Sequence, residues 1–67
     1  MMKLKYDKEA DAAYISLKMP IKKGEVKKTK EFNQDIFFDF DSKGKLIGVE
    51  ILNASKVLSR QALLTKH

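Results

Sequence analysis

Residues 35–55, DIFFDFDSKGKLIGVEILNAS, hold two apolar alternations joined by a turn. Ile36, Phe38 and Phe40 share one face of the first run, with Phe37, Asp39 and Asp41 on the other. In the second run Ile47, Val49 and Ile51 stand opposite Leu46, Gly48 and Glu50. A period of two marks strands over 35–41 and 46–52. Between them SKGK supplies a turn in which Gly44 is free to take a positive φ. Matching the apolar faces predicts the antiparallel pairs Phe40–Ile47, Phe38–Val49 and Ile36–Ile51, with Asp39 beside Gly48 and Phe37 beside Glu50. A slip of one residue would turn one apolar set toward water. Residues 39–50 also fit part of the calcium-loop pattern, but Lys43 stands where a ligand oxygen belongs and the flanks alternate like strands.

Upstream, Met2, Leu4 and Tyr6 alternate with Lys3 and Lys5, and residues 12–18 alternate again around Ala13, Ile15 and Leu17. The DKEAD segment between them is a turn, so the two runs form a hairpin. The only Pro, Pro20, opens a loose stretch over 19–24. Residues 25–32 are strand-like but crowded by Lys27, Lys28 and Lys30, which suits a solvent-facing edge. Beyond Asn53 the period changes: Ala54, Val57, Leu58, Gln61 and Leu64 fall near one helical face. Asn53 or Ser55 is the expected N-cap, and Lys66 and His67 suit the negative helix end. A helix of about 12 residues is marginal alone, so it must dock on the sheet. The expected site is the face of Ile15, Leu17, Phe38, Phe40, Val49 and Ile51. The reading is α+β: an antiparallel four- to five-stranded β-meander followed by one C-terminal helix packed on one sheet face. Residues 1–67 form a single domain.

At 67 residues the chain can bury only about 60% of its unfolded surface, which leaves little stability to spare. There is no Cys, hence no disulfide, no thiolate metal site and no cysteine nucleophile. No apolar run is long enough to span a membrane and no signal peptide is visible, which points to the cytoplasm. The remaining compensations for small size are a metal or a partner subunit.

Nucleophilic chemistry has little to stand on. The one His is the terminal His67, and Ser55 and Ser59 lack a positioned base. Asp7, Asp11, Asp39, Asp41 and Glu50 form a candidate carboxylate cluster for Mg²⁺ or Ca²⁺, or for acid–base work. The competing role for these groups is to accept bonds from turn amides, Tyr hydroxyls and nearby lysines. No cofactor is expected. Net charge is +5, and Lys22, Lys23, Lys27, Lys28 and Lys30 form a basic patch with Phe32 the only aromatic nearby. Nucleic-acid binding there ranks below a solvated edge. The favoured reading is a non-enzymatic interaction module, a homo-oligomer with Tyr14, Phe37 and Leu46 at its interface. It rests on the central strand being apolar on both sides, since one small helix cannot cover both.

The blocks YDKEADAAYISL (residues 6–17) and DIFFDFDSKGKLIGVEILNAS (residues 35–55) resemble the domain-of-unknown-function family 2283 of small prokaryotic proteins. The matching positions are Tyr6, Asp7, Asp11, Tyr14, Ile15, Asp39, Asp41, Gly44, Gly48, Glu50, Ile51, Leu52, Ala54 and Ser55; Val49 replaces the usual Ile. The resemblance implies a small α+β fold and a prokaryotic cytoplasmic setting, with Asp7, Asp11, Asp39 and Glu50 in the fold's signature. It brings no established activity. Association of such proteins with small toxin-like proteins implies an antitoxin-like or partner-binding role.

Overall fold

The computed structural model describes residues 2–64. Five strands form one antiparallel sheet: β1 (Lys3–Asp7), β2 (Ala12–Ser16), β3 (Lys28–Asn33), β4 (Ile36–Phe40) and β5 (Leu46–Leu52). Two short helices follow, α1 (Ala54–Val57) and α2 (Arg60–Leu64). The expected α+β class holds. No helix among the described residues is long and apolar enough to cross a membrane.

The strand order is β1-β2-β5-β4-β3, which corrects the expected meander. In a meander, β3 would lie in the middle with Lys28 and Lys30 in its length. Lysines belong on edges, where they blunt pairing with other chains. The sheet satisfies this by placing lysine-bearing β1 and β3 at its two margins, while β5, the longest strand, takes the centre. Residues 17–27 therefore carry the chain from β2 to the far edge. The ladders run a little past the strands, with the Leu17 amide donating to the Ile47 carbonyl and the Lys27 amide to the Phe40 carbonyl.

The β4–β5 register agrees with the apolar matching at Ile36–Ile51 and Phe38–Val49, and sets Phe37 beside Glu50 and Asp39 beside Gly48. It departs at the turn end, where Phe40 lies opposite Leu46 rather than Ile47. A shift between Asp39 and Phe40 leaves Ile47 as the extra residue, a bulge that alternation alone does not signal. Leu46 consequently pairs with Phe40 and leaves the row of Phe37 and Tyr14, contrary to its expected place at one interface with them.

The turns are built from side-chain acceptors. Asp7 Oδ1 accepts the amides of Glu9 and Ala10, Asn33 Oδ1 those of Asp35 and Ile36, and Asp41 Oδ1 those of Lys43 and Lys45. Gly44 takes φ +79°, as the SKGK turn requires.

The tail is two helices, not one. Leu58 is extended at φ −103° and ψ 149°, which ends α1, and Ser59 Oγ accepts the Ala62 amide to start α2. Asn53 occupies the N-cap position of α1 in a left-handed conformation without a capping side-chain bond. Lys66 and His67 lie outside the described residues. The helices pack on the face of Ala13, Ile15, Val49 and Ile51, where Ala54 is fully buried among Tyr6, Val57, Leu58 and Leu63. Phe38 and Phe40, expected beneath the helix, are not among the side chains packed there.

Candidate functional site

Alternation and register place Lys3 and Lys5 of β1, Tyr14 of β2, Gly48 and Glu50 of β5, Phe37 and Asp39 of β4, and Thr29 and Glu31 of β3 on the face opposite the helices. A hydrogen-bonded row crosses this face. Tyr14 donates its hydroxyl to Asp39 Oδ2 at 2.7 Å, and Thr29 donates to Asp39 Oδ1 at 2.7 Å. The phenol spans from β2 to β4 over β5, and it passes where Gly48 has no side chain. A Cβ on Gly48 would fall within the Tyr14 hydroxyl and ring. Burial, the bond to Asp39, and the charges of Asp39 and Glu50 push the Tyr14 phenol well above its ordinary value of 10.0. Tyr14 is thus held as a neutral donor.

A second constellation joins the first hairpin to the helices. Asp11, at φ +51° in the β1–β2 turn, accepts the Ser55 hydroxyl on Oδ2 at 2.7 Å. Its Oδ1 accepts the Ser55 amide at 3.0 Å and the Tyr6 hydroxyl at 2.7 Å. The Ala54 amide adds a bond to the Asp11 carbonyl. Asp11 does from a distant turn what an N-cap side chain does locally. Bonds from the Ser55 and Tyr6 hydroxyls hold its carboxyl below the usual carboxylate range, while the same bond raises the Tyr6 phenol. Amides of Lys45 and Lys43 do the same for Asp41.

The five candidate carboxylates are therefore distributed: Asp7 and Asp41 shape turns, Asp11 anchors α1, Asp39 receives Tyr14 and Thr29, and exposed Glu50 flanks Phe37 and Tyr14. Among the described residues no three His, Cys, Asp or Glu side chains gather as a metal-binding group. None of the five is in an ion pair among the described residues, where Lys18 pairs with Glu25 instead. Ser55 and Ser59, the hydroxyls considered as nucleophiles, serve α1 and α2. An open groove of about 690 Å³ lies beside the row, with Lys5, Asp7, Tyr14 and Glu50 in its lining.

Sequence reasoning missed Thr29 and the pairing of Phe38 and Phe40 with lysines. Its signal was available: a β-branched residue two positions from Glu31, on the strand already assigned to an edge.

Residues 3–55 match the family described as "Protein of unknown function (DUF2283)", and the chain belongs to that family. The positions that carry the resemblance, Tyr6, Asp11, Tyr14, Asp39, Gly48, Ala54 and Ser55 among them, include every partner in both constellations except Thr29. No curated protein and no solved structure matches the chain.

Proposed function

We propose that the chain is a non-enzymatic, cytoplasmic protein-interaction module that works as a homo-oligomer, the helix-free face of its sheet meeting the same face of a second copy. One observation carries the reading. Both helices pack on one face, while Phe37 and Tyr14 stand half-buried on the other, with Glu50 between them in register. Apolar surface left without a layer above it marks an interface.

Charge order supports a second copy as the occupant. On this face Lys3 and Lys5 lie at the β1 edge and Glu31 at the β3 edge, with β5 central. A half-turn about the line of β5 lays the basic edge of one copy over the acidic edge of the other, twice, as an isologous contact requires. A further partner, a small toxin-like protein, accords with the family resemblance. The test is light scattering at micromolar concentration. The native chain should be larger than a monomer, and Phe37→Asp should be monomeric with an unchanged circular-dichroism spectrum. A monomeric native chain overturns the proposal.

A further inference from the structure

Two lysines and three phenylalanines meet on the part of the helix-bearing face that the helices do not reach, with Lys27 at the groove beside them. Lys28 lies opposite Phe40 and Lys30 opposite Phe38, and directly opposed strand residues share a face. Phe32 joins them through a bulge. The β3–β4 register shifts between Glu31 and Asn33, and the Phe32 ring tilts over Phe38 at 5.6 Å between centroids. Phe32 is nonetheless 65% exposed. A bulge at a sheet edge re-aims a side chain, and here it turns a ring toward its neighbour while leaving it open to solvent.

The cations here outnumber the carboxylates. Lys27, Lys28 and Lys30 line an open groove of about 400 Å³ with Phe40. None of the three lysines has an ion-pair partner among the described residues. Glu31, the carboxylate of β3, lies opposite Phe37 and so belongs to the other face. Asp41 borders the groove as a single carboxylate against three lysines, so the lining keeps a net positive charge.

We infer that this surface binds single-stranded nucleic acid, with bases stacked on Phe32 and Phe38 and phosphates held by Lys27, Lys28 and Lys30. Rings interleaved with lysines on an exposed sheet are the arrangement that single strands require, because every base has a face to stack and every phosphate a charge to neutralise. The chain holds one Arg, Arg60, so the bidentate base readout that Arg provides is absent from the patch and binding is tolerant of sequence. A duplex keeps its bases stacked and offers the rings nothing. The site is separate from the face proposed for self-association.

Fluorescence anisotropy of a labelled single-stranded oligonucleotide, in a salt series and against the matching duplex, tests the inference. The native chain should prefer the single strand, with a log–log salt slope of roughly −2 for three lysines. Phe32→Ala, at an exposed position, should weaken binding about tenfold. The Lys28→Glu/Lys30→Glu pair should remove it, whereas Lys8→Glu/Lys56→Glu, the same charge change at exposed positions outside both proposed surfaces, should weaken it far less. Absence of binding at low salt overturns the inference, as does equal loss from both lysine pairs. Tighter binding of a polyglutamate peptide than of the oligonucleotide, with the same Phe32 dependence, would instead assign the patch to an acidic protein.

Discussion

Gly48 has a neighbour that leaves it no room for a side chain: the Tyr14 phenol crosses directly over it to reach Asp39. Gly48→Ala should therefore cost about 1–3 kcal/mol through overpacking, measured by denaturant unfolding. The sign should reverse where Tyr14 has been removed. In a Tyr14→Ala background the new methyl meets no phenol, and Gly in a strand interior is itself less favourable than Ala by about 0.5–1 kcal/mol. The double-mutant cycle thus yields a large coupling between positions 14 and 48; equal costs in both backgrounds would mean that the close approach does not constrain the fold. Alternation alone put Gly48 and Asp39 on one face, and Tyr14 among the polar positions of its strand. The bond between Tyr14 and Asp39 was not legible, because it needs β2 beside β5, a neighbourhood that no local pattern encodes.

Helix α1 depends on another element for its start. Its first amides reach the Asp11 carbonyl and carboxylate, so the β1–β2 turn and the helix are joined through one ionised group. That carboxyl is held below its ordinary value near 3.8, as is Asp41 in the β4–β5 turn. A depressed acid stabilises the fold at pH above its unfolded value, and this contribution is lost as pH falls through the folded value. The melting temperature should hold from neutrality to about pH 5 and decline below it. Asp11→Asn should melt lower at neutral pH and lose less on acidification; an acid loss equal to that of the native chain would remove Asp11 as its source. The bounds of strand β5 were legible, since Ile47, Val49 and Ile51 alternate along it, although the bulge at Ile47 was not. The helical tail was legible only as a period. Apolar spacing continues through Leu58 although the backbone there is extended, and the break shows only in Ser59, which caps the second helix. The remote cap from Asp11 leaves no trace near residue 54.

At the scale of the whole molecule the lysines order the strands and the thin core sets the stability. The buried apolar side chains among the described residues are Ala13, Ile47, Ile51 and Ala54, two of them only methyl groups. A second copy laid over Phe37 and Tyr14 would add burial that the single chain lacks, and folding would then be coupled to association. Such coupling makes the melting temperature depend on protein concentration. For a dimer of chains this size, a tenfold increase should raise it by about 5 °C, given typical unfolding entropies per residue. Phe37→Asp should melt lower and show no concentration dependence. Phe32→Ala, on the opposite face, should keep the native dependence, so that the self-association face and the lysine–aromatic patch are separated in one experiment. A melting temperature that stays constant across the concentration range would mean that the four buried side chains and the hydrogen-bonded turns hold the monomer by themselves.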